Sequence, residues 1–288
     1  MTNLQLFTAC VAIWGTTWLA ITYQLGSVAP EASVFYRFLL ASMVVFAWCK
    51  ARGLPLGYGR RDHAWLALQG LLMFGIGYIF VYYAEEHVVS GLVAVGYSAT
   101  PLISMLLLRV FFGTPMTAHV AIGGALGIAG ITLIFLPEIA QLRGDGDVVV
   151  GLGYAMAAVV VSALGSMVAH RNHDARIPVW QSIAWGMLYG SIFSLAMTLA
   201  LGKPLTIALT PGYLVSLAYL AVLGSVLAFG AYLTLLGRIG AARSGYIGVM
   251  TPIVALLVSA MFEGFHWQAL TWIGVAVSVV GNAVILRR

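Results

Sequence analysis

The stretch TPLISMLLLRVFFGTPMTAHVAIGGALGIAGITLIF, residues 100–135, returns 151 positions later as TPIVALLVSAMFEGFHWQALTWIGVAVSVVGNAVIL, residues 251–286. Thr100-Pro101 aligns with Thr251-Pro252, Phe111 with Phe262, Gly113 with Gly264, and Ala118 with Ala269. Ile122-Gly123 aligns with Ile273-Gly274, Ala125 with Ala276, Gly130 with Gly281, and Ile134 with Ile285, about ten identities in all. An apolar composition inflates chance matches, so the weight rests on the glycines and prolines, whose backbone demands are specific. The chain is read as an internal duplication of apolar helices.

The remaining sequence extends that reading. Of 288 residues, 61% are hydrophobic and 8% charged, with a mean hydropathy of +0.99; a soluble domain carries about 25% charged residues. Apolar runs fall near 4–25, 31–49, 64–84, 88–112, 118–136, 148–169, 179–201, 211–236, 242–262 and 267–286. Each has the roughly 20 residues that one crossing needs, so the expected fold is an all-α membrane protein with ten transmembrane helices and no sizeable soluble domain. Met1 to Gln5 has no basic n-region, so the first run is read as a membrane helix and not as a cleaved signal. Lys50, Arg52, Arg60, Arg61, Arg109, Arg171, Arg176, Arg238, Arg243, Arg287 and Arg288 collect on one side of the alternate loops, against only Arg143 and Lys203 on the other. The positive-inside rule makes the first side, with both termini, cytoplasmic. Glu31, Glu85, Glu86, Glu138, Asp145, Asp147 and Glu263 fall on the opposite, external side. The basic residues never form a block with interleaved aromatics, so their partner is the lipid surface and not nucleic acid.

Five crossings per half is an odd number, so the second half is inverted relative to the first. The expected organisation is a first five-helix repeat at 1–137, an external linker at 138–147, and an inverted repeat at 148–288. Inverted repeats suit a carrier, because two packings related by a pseudo-two-fold axis in the membrane plane give two alternately open states of similar energy.

Ile13-Trp14-Gly15-Thr16-Thr17-Trp18, Phe35-Tyr36-Arg37-Phe38 and the two Thr-Pro pairs, taken in order, resemble the EamA-type ten-helix exporters of the drug/metabolite transporter superfamily. The aromatic content and loop lengths are most similar to the YddG-type exporters of aromatic and neutral amino acids. Family members often carry Gly-Glu after helices 4 and 9, where this chain has Gly113-Thr114 and Glu263-Gly264. The resemblance implies a central cavity lined by helices 1, 3, 4, 6, 8 and 9, and a multi-pass location in a bacterial inner membrane.

Trp14 with Trp18, and Tyr78 with Tyr82, are each four apart and share a helix face. Trp14, Tyr78, Tyr82 and Tyr97, with Tyr232, Ser244 and Tyr246 in the second half, are the expected substrate-binding set, since a hydroxyl at membrane depth needs a partner. The competing role for aromatics near helix ends, including Trp18, Tyr23, Tyr83 and Tyr213, is an interfacial belt. Arg37 is the single formal charge well inside a run, with two readings: holding a substrate carboxylate, or fixing packing by snorkelling or by pairing with Glu85 or Glu86. Pro101 and Pro252, at matching positions in the repeats, are the expected hinges.

No acid lies mid-helix, so the expected mode is facilitated diffusion or exchange, with Glu86 and Glu263 as the acids most able to upset it. The same absence disfavours a proton-coupled exporter of cationic drugs, and one arginine is too few for phosphate carriers. Small neutral or zwitterionic solutes remain, amino acids first. The strips Gly123-xxx-Gly127 and Gly274-xxx-Ser278 are assigned to packing within one chain, favouring a monomer over a homodimer. No cofactor or metal is expected: Cys10 and Cys49 read as small hydrophobes, and His170, His173 and Asp174 as a solvated loop. An intramembrane serine enzyme is disfavoured because Ser98 has no buried histidine to activate it, and a channel because the repeats favour alternating access.

Overall fold

The computed structural model describes residues 1–113, 118–141, 147–244 and 246–286, and among these every regular element is helical, with no strand. The helices are α1 (Asn3–Thr22), α2 (Pro30–Ala51), α3 (Arg60–Glu85), α4 (Ser90–Tyr97 continued by Thr100–Phe112), α5 (Ala118–Gln141) and α6 (Asp147–Asp174). They continue as α7 (Val179–Ala200), α8 (211–244), α9 (Tyr246–Phe262) and α10 (Ala269–Leu286). Among the described residues seven helices are long and apolar enough to cross a membrane, and shorter apolar helices occupy Ala121–Pro137, Ile247–Phe262 and Ala269–Val284.

Local chemistry sets several ends. Thr2 and Gln5 form a reciprocal capping box that satisfies orphan N–H groups at the start of α1. Pro30 sits in the first turn of α2, where its missing N–H costs nothing. Gly113 and Gly264, one of the identities in the repeat, both take positive φ, 65° and 71°, closing α4 and following α9. Only glycine adopts that conformation without a Cβ penalty, which explains why both copies have it.

The distribution of polarity suits lipid. Val110, Phe111, Met261, Phe262 and Trp272 are exposed, while Ser191, Ser194 and Thr198 are fully buried. Those hydroxyls donate back to the carbonyls of Leu188, Gly190 and Ser194 within α7, so burial leaves no unpaired donor.

The duplication is visible as geometry. A Cβ on Gly130 would fall 2.6 Å from the carbonyl oxygen of Gly274, and one on Gly281 would fall 2.6 Å from that of Gly123. The 151-residue shift exchanges these two contacts. As α5 advances from Gly123 to Gly130 its partner retreats from Gly281 to Gly274, so two equivalent helices pack antiparallel. A two-fold axis perpendicular to the helices is the operation that does this, and the halves are therefore inverted. Gly123, Gly274 and Ser278 of the small-residue strips lie in this seam, while a Cβ at Gly127 would meet nothing within 4 Å. The other pairings follow the same exchange: α1 packs on α9 and α8, α6 on α4 and α3, and α2 on α7.

Each of α3 and α8 contains a π-helical segment, Gly70–Ile76 and Tyr219–Leu227. Shifting the first by 151 lands on 221–227, inside the second. Nothing in the amphipathic pattern announces these segments, and π turns concentrate at functional sites.

Candidate functional site

Between α1, α2, α3, α4, α6, α8 and α9 lies a cavity of about 460 Å³. Its wall takes Trp14, Thr17, Trp18 and Ile21 from α1, Arg37 from α2, Met73, Tyr78 and Val81 from α3, and Ala94, Tyr97 and Thr100 from α4. Ser166 of α6, Phe229 and Tyr232 of α8, and Ile247, Gly248, Thr251 and Pro252 of α9 complete it. The size is that of a small-molecule site, and the wall is mainly apolar with a few polar groups.

Aromatic side chains make two clusters. The Trp14 ring meets Phe229 edge-on at 5.3 Å and Tyr232 at 5.5 Å, and its indole N–H donates to the Gly224 carbonyl at 3.1 Å. That carbonyl belongs to the π segment of α8, so Trp14 ties α1 to the irregular turn. One turn further along α1, Trp18 packs on Tyr97 at 5.1 Å, and the Tyr97 hydroxyl shares a 3.0 Å hydrogen bond with Ser162. Tyr78 meets Phe38 edge-on at 4.7 Å.

Arg37 lies between these groups. Its guanidinium carbon stands 4.6 Å from the centre of the Tyr78 ring and 5.2 Å from that of Phe38. Nε donates to the Ser225 hydroxyl at a long 3.4 Å, and Nη1 has no partner among the described residues. The side chain is only 2% exposed, so it does not snorkel, and no ion pair joins it to Glu85 or Glu86 among the described residues. A buried guanidinium with a free donor beside a cavity is a place for an anionic group of a cargo.

The cavity is sealed where α1 ends and α2 begins. Gln24, Glu31, Tyr82, Glu85, Leu92 and Phe265 are all buried there. Toward the opposite end the wall runs to Ser166, Tyr232 and the exposed Gly248.

Of the residues expected from the sequence, Trp14, Arg37, Tyr78, Tyr97, Tyr232 and Pro252 are brought together in this wall. Tyr82 is not. Four residues of helix raise it about 6 Å beyond Tyr78, into the sealed end, where its hydroxyl donates to Gln24 Oε1 at 2.7 Å. The side chains of Pro101, Ser244 and Tyr246 lie outside the described residues. The backbone at Pro101 belongs to the first turn of a new helical piece after a break at Ser98 and Ala99, whereas Pro252 sits inside α9. The Ser98 hydroxyl is spent on the Val95 carbonyl at 2.6 Å. Trp18 lines the cavity instead of a headgroup belt, and Tyr213 is buried against Ser33 at 3.1 Å, while Tyr23 is exposed. Thr17, Ser166 and Phe229 were not foreseen. The spacing of Trp18 from Trp14 held the signal for that residue; the π segment erased any for Phe229 by shifting the face of α8.

The whole chain has relatives. The EamA-like transporter family model matches twice, over residues 2–136 and 149–287. The inner membrane transporter YedA of Escherichia coli K12, itself uncharacterized, is 30% identical over 98% of this chain and 90% of its own length. PecM of Dickeya dadantii is 27% identical over 87% of this chain and 80% of its own. A probable terminal-alkyne amino-acid exporter of Streptantibioticus cattleyicolor is 27% identical over 96% of this chain and 91% of its own. A crystal structure 20% identical in sequence superposes with a TM-score of 0.70, covering 98% of this chain and 96% of that one, and so shares the fold. Two inverted helical repeats around a central cavity, each matched by the same family model, make this chain a multi-pass inner-membrane transporter that belongs to the EamA-like transporter family.

Proposed function

We propose that the protein exports small neutral or zwitterionic metabolites, amino acids including aromatic ones foremost, by alternating access through the central cavity. The observation that carries this is Arg37: one buried guanidinium with a free Nη1, set in a wall of Trp14, Tyr78, Tyr97 and Phe229. A carboxylate fits the first and an apolar or aromatic side chain fits the second. A cationic drug would meet the same fixed positive charge as a repulsion. The amino-acid exporter among the relatives points the same way.

In this reading all ten helices cross the membrane, both termini are cytoplasmic, and the sealed end is external, so the conformation faces the cytoplasm. The cavity wall among the described residues holds no acid, which fits facilitated diffusion or exchange as the mode of cargo movement. The seam between α5 and α10 uses the small-residue strips within one chain, which supports a monomer.

Saturable counterflow in proteoliposomes, run over the twenty amino acids and several cationic drugs, tests the proposal. Counterflow with neutral amino acids and none with drugs is expected. The reverse ranking, or flux that never saturates, refutes it.

A further inference from the structure

Two of the acids assigned to the external side, Glu31 and Glu85, lie inside the sealed end, whereas Glu86 is exposed. Glu31 is fully buried and Glu85 is 7% exposed. Of the three carboxyls there, Glu31 accepts the Tyr83 hydroxyl at Oε1 while its Oε2 has no partner among the described residues, and Glu263 accepts the Ser90 N–H, at 3.1 Å, and hydroxyl. Glu85 is different, for among the described residues neither of its oxygens has a hydrogen-bond partner. A separate side chain repeats the deficit. Gln24 is fully buried with Oε1 occupied by Tyr82, one turn from Glu85 on α3, and its amide nitrogen has no partner.

The charged and titratable groups around Glu85 come from every neighbouring element. They are Arg37 and Glu31 of α2, Tyr82, Tyr83 and Glu86 at the end of α3, Tyr97 of α4, Glu263 after α9, and Tyr213 of α8. His87, Asp147 and Tyr154 stand farther out, with His87 3.7 Å from Asp147. The single cation buried among them is Arg37, and its guanidinium is stacked on Tyr78 instead of paired with Glu85. A buried carboxylate with no bonded oxygen neutralises itself by taking a proton.

We infer that Glu85 is a proton-binding site of the external gate: the gate seals over Glu85 with the carboxyl protonated, and ionisation favours the state in which that end opens. The proton comes from external water and returns to it, so no proton need cross with cargo. The device is one-sided. The 151-residue shift carries Gln24, Glu31 and Glu85 to Ala175, Ser182 and Leu236, and Glu263 back to Phe112, so the cytoplasmic end has no equivalent acid. The inference rests on the topology proposed above.

The test uses intact cells and a chain with Cys10 and Cys49 replaced. Single reporters, Leu92→Cys at the sealed end and Tyr23→Cys at the exposed end of α1, are reacted with a membrane-impermeant thiol reagent added outside. The Tyr23→Cys rate corrects for the pH dependence of the thiol itself. The ratio of the Leu92→Cys rate to the Tyr23→Cys rate should rise about tenfold or more between about pH 5.5 and about pH 8.5. It should stay low and flat with Glu85→Gln, which imitates the protonated carboxyl, and still rise with Glu85→Asp. A flat ratio with Glu85 intact overturns the inference whatever the variants do. So does a rise that survives Glu85→Gln, or a ratio that follows added sodium at fixed pH. Absence of external labelling at Tyr23→Cys refutes the topology instead, and the inference falls with it.

Discussion

Replacing Arg37 by glutamine separates recognition of a cargo from support of the fold. The guanidinium is buried in the cavity wall with Nη1 unpartnered among the described residues, and its contacts include a 3.4 Å hydrogen bond to Ser225 and the Tyr78 and Phe38 rings. A hydrogen bond to a charged group contributes about 1.5–3 kcal/mol, which at roughly 1.4 kcal/mol per decade is about tenfold to hundredfold in affinity. Losing the ring contacts removes about 0.5–2 kcal/mol more, but that loss is common to every cargo. The assay is competition in proteoliposome exchange, comparing phenylalanine with its amide, which keeps the ring and ammonium and lacks the carboxylate. Arg37→Gln should weaken phenylalanine by at least about tenfold more than the amide. If both competitors weaken equally, Arg37 serves packing and the carboxylate reading is wrong.

The aromatic wall gives a second contrast. Tyr78→Ala and Trp14→Ala should each weaken phenylalanine several-fold more than alanine, by the roughly 0.5–1.5 kcal/mol that an aromatic pair contributes. Tyr82→Ala, outside the cavity, should affect both cargoes alike, and a phenylalanine-selective loss there would refute the placement of Tyr82. Topology is checked by single cysteines in a cysteine-free background: position 203 should label from outside intact cells and position 60 should not, following the lysine and arginine asymmetry. In the seam, Gly130→Ala places a Cβ 2.3 Å from Ser278 Oγ and 2.6 Å from the Gly274 carbonyl, whereas a Cβ at Gly127 meets nothing within 4 Å. Thermal unfolding in detergent should show Gly130→Ala destabilised by about 1–3 kcal/mol and Gly127→Ala nearly unchanged.

The helices and the duplication were legible because a bilayer enforces long apolar runs, and because Gly113 and Gly264 must be glycine at positive φ. Much of the cavity wall was legible too, since Trp14, Tyr78, Tyr97 and Tyr232 sit at mid-helix depth on faces that the 3.6-residue period brings inward. The misses share a cause in depth and register. Tyr82 has the right face and the wrong height. Phe229 follows a π segment whose altered turn no periodicity count registers. Glu31 and Glu85 stand at helix ends assigned to the external side, yet both are buried. Spacing along one helix cannot reveal what another helix covers.

The matched π segments of α3 and α8 bear on ancestry. A π turn holds one residue more than the α-helical turn it replaces, and arises when a single residue enters a helix already fixed at both ends. Gly70–Ile76 and Tyr219–Leu227 coincide once one half is laid over the other. Two independent insertions at the same place are a poorer account than one. That insertion then happened in a single five-helix ancestor, before its gene was copied and fused, and both descendants have kept the extra residue through all the divergence that made Trp14 face a Gly165 counterpart.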